Sequence, residues 1–232
     1  MALPRRDYLI VSCEHGGNRV PAPFRNVLSK ALLDTHRGYD PGALAVARDI
    51  AKATRAPLFY STISRLLVEL NRPLGHPQLF FRNFPKATRD ALLRRYYFPY
   101  WNAVGKAARR GRRVIHLSVH SFTPRMRGET RQVDVGLLFD PSRPAEVRFC
   151  QRWRDALQRL SPRLRVLDNE PYPGVFPSLV DALRHKLDAR RYVGIQIEVN
   201  QKFPRGDAAR WRKLRRILVE SFSATLGVQS LP

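Results

Sequence analysis

Cysteine, acidic residues and long apolar stretches are all scarce in this chain, and each scarcity removes a class of protein. There are two cysteines in 232 residues, Cys13 and Cys150, both in apolar surroundings. A disulfide framework has nothing to build on, and a reducing compartment is the default. No stretch approaches the ~20 apolar residues that span a bilayer. The start, MALPRRDYLIVSC, has no long hydrophobic core before a small-residue cleavage site. The expectation is a soluble, cytoplasmic protein with no membrane partner, its oligomeric state left open. Glycine-rich phosphate loops, paired CxxC motifs and a GxSxG elbow are missing, so nucleotide hydrolysis and serine-hydrolase chemistry lack support.

The shortage of acid leaves a net charge of +23, from 42 Lys and Arg against 19 Asp and Glu. Such a surplus fits either a nucleic-acid surface or an arginine-rich codon bias. The cations run along the whole chain, with short clusters at Arg109–Arg113, Arg190–Arg191 and Arg212–Arg216. Without a basic tail or RNA-binding signature, a nucleic-acid partner is the lesser reading.

Hydrophobic patterning alternates between short β runs and longer helical segments. Tyr8–Cys13, Pro57–Tyr60, Leu66–Leu70, Val114–His120, Val133–Phe139, Leu164–Leu167 and Tyr192–Val199 read as strands. Ala22–Leu33, Gly42–Thr54, Lys86–Arg110, Ala145–Leu160, Ser178–Ala189 and Asp207–Leu226 read as helices, with Pro99 kinking or dividing the third. Strands separated by helices predict one α/β domain over residues 1–232, a three-layer α/β/α sandwich around a mixed, mainly parallel sheet. Pro73–Pro85 reads as a long loop.

Such a sheet binds ligands beyond the carboxyl ends of its strands. His15, Asn71 with Arg72, His120 and Glu198 all fall at expected strand ends. Two imidazoles there supply half of a tetrahedral zinc site, and an oxygen ligand would leave one position for water. The plainer alternative is a pair of hydrogen-bonded turn histidines. Glu198, closing an apolar strand in GIQIEVNQ, suits a general base and acid, or an ion pair with one of many arginines. In SRLLVELNRP, Arg65, Asn71 and Arg72 either grip a carboxylate or form a turn closed by Pro73. Asp40 in GYDPGA is either a helix-capping acid or the oxygen ligand.

Together SCEHGGNRVP, GYDPGALAVARDIA, SRLLVELNRP, VHSFTP, DNEPYPG and GIQIEVNQ resemble the N-formylglutamate amidohydrolase family, whose members look like relatives of zinc carboxypeptidases and aspartoacylases. The resemblance runs from residue 12 to about 201 and implies a zinc-dependent hydrolase of the amide bond of a small anionic N-acyl amino acid. It implies that His15 and His120 hold the metal, with Asp40, Glu14 and Asn18 competing as third ligand and Asp40 favoured by its matched segment. Carboxypeptidase relatives carry glutamate where Asn18 stands, and the family's arginine after the strand glutamate is replaced by Asn200. Glu198 becomes the base and then the acid, and Arg65 an oxyanion partner. Asn71, Arg72, Asn18 and Ser121 become substrate contacts. Two rivals stand beside this reading: a nucleic-acid-associated protein with a vestigial site, and a peptidase or acylase taking a larger N-acyl group.

Overall fold

The longest buried runs in the chain form the middle of the sheet. In the computed structural model, which describes residues 7–227, the elements run β1 (Tyr8–Cys13), α1 (Lys30–Leu33), α2 (Ala43–Thr54), β2 (Leu58–Tyr60), α3 (Lys86–Leu92), α4 (Phe98–Ala107) and β3 (Val114–Phe122). There follow β4 (Arg125–Met126), β5 (Glu129–Thr130), β6 (Val135–Leu138), α5 (Pro144–Leu160), β7 (Val166–Asp168), α6 (Leu179–Lys186), β8 (Tyr192–Asn200) and α7 (Ala208–Leu226). Six strands make one sheet in the order β2-β1-β3-β8-β6-β7, and β4 with β5 forms a separate hairpin. The first four sheet strands are parallel; β6 pairs antiparallel with β8, and β7 runs parallel to β6.

The two faces of this sheet have different chemistry because strand side chains alternate. One face sends Val11, Cys13, Ile115, Leu117, Val119, Ile195 and Ile197 into the main core, against α2, α5 and α7. The other packs Ile10, Val114 and Tyr192 against α4 and α6 at its near end. Further along, that second face turns polar: Ser12, Glu14, His116, Ser118, His120, Gln196 and Glu198 are all buried. The architecture is the expected α/β/α arrangement around a mixed, mainly parallel sheet. No helix among the described residues is long and apolar enough to cross a membrane.

Three expected elements come out differently. Leu66–Leu70 is not a strand but a series of turns, whose apolar side chains fill a satellite core with Leu79, Phe84, Leu92 and Tyr97. Ala22–Leu33 is no continuous helix: a 3-10 turn over Ala22–Val27 gives way to the four-residue α1, capped by Ser29. Lys86–Arg110 divides as Pro99 requires. The proline lacks the N–H that would bond back to Arg95, and a π turn over Leu93–Tyr97 takes up the mismatch before α4 begins. Residues 73–85 form the expected loop, pinned by Leu79 and Phe84 in the satellite core.

Candidate active site

β1 delivers Glu14 and His15 directly into a turn that only glycine permits. A Cβ at Gly16 or Gly17 would come within 2.9 Å of the carbonyl oxygens of Ser61 and Thr62, so the chain after His15 lies flat against residues 61–62. The His15 carbonyl then accepts the Asp40 backbone N–H at 2.9 Å, which fixes Asp40 beside it. His120 and Glu198 sit directly across from each other on β3 and β8. Both strands continue two residues past them, so these two side chains stand within the strand ends.

Three ligand atoms converge. The Asp40 carboxylate oxygen Oδ2 lies 3.2 Å from His15 Nδ1 and 3.0 Å from His120 Nδ1, and the imidazole centroids are 5.1 Å apart. The outer nitrogen of each ring is turned to a buried carboxylate: His15 Nε2 to Glu69, and His120 Nε2 to Glu14 at 3.2 Å. Glu14 also accepts hydroxyl hydrogens from Ser118 at 2.7 Å and Tyr100 at 2.9 Å. Arg65 closes the ring of charge, donating through Nε to Glu69 at 2.6 Å and through Nη1 to Asp40 at 3.3 Å.

Burial raises the cost of every charge here, and pairing overcomes it. Desolvation pushes Glu14 up, but the hydrogen bond and charge of His120 pull it down to about 2. Asp40 and Glu69 are likewise held well below the ordinary carboxylate range despite burial, by His15 and Arg65 respectively. Burial disfavours charge on His120, yet its bonds to Asp40 and Glu14 raise it to about 10; Glu69 and Asp40 raise His15 in the same way. Glu198 differs: burial pushes its carboxyl up to about 7, only partly offset by His120. One of its oxygens is buried without any hydrogen-bond partner.

This donor set fits a divalent cation. Zinc ligands at 2.0–2.1 Å stand about 3.4 Å apart along a tetrahedral edge, close to the observed 3.0 and 3.2 Å. Among the described residues, His15, Asp40 and His120 are a group of buried residues whose ligand atoms lie within 4.8 Å of one another. Glu14, Asp40 and Glu69 balance His15, His120 and Arg65 when both histidines are protonated. Exchanging the two imidazole protons for one dication preserves that balance, and the carboxylates behind each ring are the partners that metal-binding histidines need.

The remaining residues singled out in the sequence have definite places. Glu14 stands behind His120, outside the converging trio. Asn71 is buried, its Oδ1 accepting the Leu179 N–H at 3.0 Å and its Nδ2 lying 3.3 Å from His120 Nε2. Arg72 donates to the carbonyls of Asn71 and Pro177 and lies over the Phe176 ring. Asn18 donates to Leu33 O and Asp34, and Ser121 to Pro41 O, so both tie down backbone that frames Asp40 and the turn after His15. Two groups carry no readable sequence signal: Tyr100, 86 residues from Glu14, and Arg131, which meets Tyr172 across 41 residues.

Among curated proteins none matches the chain. Of solved structures, gene product Atu2144 from Agrobacterium tumefaciens is 27% identical, with a TM-score of 0.77 over 95% of this chain and 91% of that one. An N-formylglutamate amidohydrolase from Ralstonia eutropha is 20% identical, with a TM-score of 0.68 over 98% and 96%, and shares the fold. The sequence profile of the N-formylglutamate amidohydrolases matches residues 8–203, most of the chain, and by that match this chain belongs to the N-formylglutamate amidohydrolase family.

Proposed function

We propose that the protein is a metal-dependent amidohydrolase that cleaves the amide C–N bond of an N-acyl amino acid such as N-formylglutamate. The observation that carries this reading is the convergence of His15, Asp40 and His120 beside the unpartnered carboxylate oxygen of Glu198. The substrate is taken from the family and from the name of the Ralstonia enzyme. Those three residues would hold a divalent metal such as zinc, which would supply Lewis acidity toward the acyl carbonyl and lower the pKa of a water towards ~7.

Glu198 is the base. With its carboxyl pushed up to about 7, it takes a proton from the attacking water at neutral pH and holds it as a competent acid. Attack on the acyl carbon gives a tetrahedral oxyanion. Arg65 spends one N–H on Asp40 and the rest of its grip on Glu69, and its Nη1 keeps a second N–H for that oxyanion. As the C–N bond breaks, Glu198 returns the proton to the leaving nitrogen, releasing formate and the free amine. Arg72 receives the α-carboxylate, its guanidinium oriented by Phe176 and two carbonyls.

Elemental analysis of untagged protein, combined with a formate-release assay, tests the reading. Wild type is expected to carry about one metal per chain and to hydrolyse N-formylglutamate, with both properties lost in His15→Ala and His120→Ala. A wild type that stays metal-free when zinc is supplied would sink it, as would hydrolysis indifferent to either substitution.

A further inference from the structure

Two glycines open the polar face of the sheet to close neighbours. Beside Glu198, a Cβ on Gly136 would strike the Glu170 carbonyl, and this brings the start of the loop between β7 and α6 over Glu198. Four residues before Glu198 on β8, a Cβ on Gly194 would lie 2.7 Å from the Tyr192 ring, so the missing side chain lets that ring lie along the sheet. The Tyr192 hydroxyl meets His116 Nδ1 at 2.6 Å, and His116 Nε2 meets the Ser12 hydroxyl at 2.8 Å. Ser12 reaches Glu14 on the same face of β1 and helps hold its carboxyl low. All four side chains are buried, and Glu14 is the carboxylate behind His120. Ser12, His116 and Tyr192 have no part in the chemistry assigned so far.

Counting hydrogens gives this chain a direction. Burial holds His116 neutral, its pKa lowered to about 4, and keeps the Tyr192 phenol protonated. A neutral imidazole has one N–H and a phenol one O–H. Among the described residues the Tyr192 hydroxyl has no other partner, so its hydrogen goes to His116 Nδ1. The imidazole proton is then on Nε2 and is donated to Ser12, which leaves the Ser12 hydrogen for Glu14. The opposite tautomer would strand the Tyr192 hydrogen in the core and spend the Ser12 hydrogen on His116. Stability does not require such a chain: the same face is apolar one step earlier, at Ile10 and Val114, and an apolar set in place of a fully paired buried polar one is close to neutral.

The chain ends where it bears on the site. His120 Nε2 lies 2.9 Å from the Ser118 oxygen, whose own hydrogen goes to Glu14, and 3.2 Å from Glu14 itself, with the Asn71 amide farther off at 3.3 Å. Facing two acceptors, this nitrogen carries a proton, and Nδ1 is left toward Asp40 Oδ2. We infer that His116, held in its Nε2–H tautomer by Tyr192, is a positioning residue: through Ser12 it orients the Glu14 carboxylate, which fixes His120 with Nδ1 toward the metal. This rests on the metal-dependent reading. Outer partners of metal-binding histidines set ring orientation and basicity, and here that support runs on through three further side chains across β1, β3 and β8.

Zinc affinity of untagged protein, read by competition with a chelator, tests this together with nitrogen NMR of the histidine rings. In wild type the His116 signals should show a proton on Nε2 and none on Nδ1. The triple variant Ser12→Ala, His116→Leu, Tyr192→Phe removes the chain and leaves none of its polar groups behind. It should weaken zinc binding about 10-fold, the low end for an outer partner of a metal ligand, with Tm little changed. His116→Gln, whose amide keeps an acceptor toward Tyr192 and a donor toward Ser12, should recover most of that affinity. A lowered Tm with unaltered zinc affinity would make the chain purely structural, and a His116 proton on Nδ1 would reverse its direction; either overturns the inference. If the triple variant does not fold, Ser12→Ala cuts the chain by a single oxygen and must still weaken zinc binding, and an unchanged affinity counts against the role. Should wild type bind no zinc, the metal-dependent reading fails on its own, and the His120 ring decides. An Nε2–H signal that Ser12→Ala and His116→Gln displace to different extents keeps the positioning role; one that neither moves removes it.

Discussion

Glu198 is the residue on which the chemistry turns, because it alone among the site carboxylates is left without a partner for one oxygen. Replacing it with glutamine keeps the shape and removes the proton acceptor. Glu198→Gln is therefore expected to cost about 10²- to 10⁴-fold in kcat, the usual worth of general acid–base catalysis, with metal content and KM little changed. The pH profile carries the same information with a definite sign. Burial raises the carboxyl to about 7, so the base form is lost, and kcat/KM falls, as pH drops through that value. The acid limb should vanish from the residual activity of the variant; a limb that persists would assign it to another group. His15, His120 and Asp40 were legible as candidates from sequence because strand ends and the GYDPGA turn leading into α2 put them on the binding side of the sheet. Asp40 could not be separated from Glu14 or Asn18 there, since only the fold decides which nitrogen of each imidazole a carboxylate meets. The contact of Arg131 with Tyr172 was illegible for the same reason: which ring an arginine of an arginine-rich chain meets is decided only by the fold.

At the scale of elements, the site depends on how α5, α6 and β8 hold the loop over Glu198. Arg184 on α6 is the clasp. It donates through Nε to Glu146 of α5, through Nη1 to the Gly174 carbonyl of the loop, and through Nη2 to the Gly194 carbonyl of β8. Both side chains are buried, and burial pushes the Glu146 carboxyl up even against the pull of Arg184. Removing one member of such a pair costs about 3–5 kcal/mol, because the other charge stays behind unpaired. Arg184→Met should lower Tm by about 10 °C for a chain of this size, and should loosen the loop that carries Tyr172 and Phe176. Calorimetry with KM for N-formylglutamate checks both, and an unchanged Tm would show that the clasp carries no stability. Central strands such as β1, β3 and β8 could be read from sequence because their burial leaves short stretches rich in Val, Ile and Leu, interrupted by polar residues on the one face that turns polar. The apolar run at Leu66–Leu70 looked the same and is a buried series of turns, since periodicity alone cannot distinguish strand burial from side chains tucked into a satellite core.

At the scale of the whole molecule, the +23 charge is a field rather than a feature of the fold. It extends to the end of the sheet remote from His120 and Glu198, where Arg109, Arg110, Lys186 and Arg191 line a cavity of about 310 Å³ with Asp188 as its one acid. The sign of the charge was plain in the composition, but its reach over both ends of the sheet was not. A field this broad attracts a doubly charged substrate more than a singly charged one, and salt screens that attraction over a Debye length of about 10 Å at 0.1 M. Raising KCl from about 20 to 300 mM should therefore lower log(kcat/KM) for N-formylglutamate about twice as steeply as for N-formylglutamine, since the interaction is linear in ligand charge. Equal slopes would mean that the field plays no part in substrate capture. The same titration addresses a polyanionic partner, because binding to duplex DNA falls with log salt at roughly −0.9 per phosphate neutralised. Duplex DNA that binds at about 150 mM salt and inhibits turnover there would give the surplus arginines that partner instead; DNA that dissociates below this salt leaves the field to the small anionic substrate.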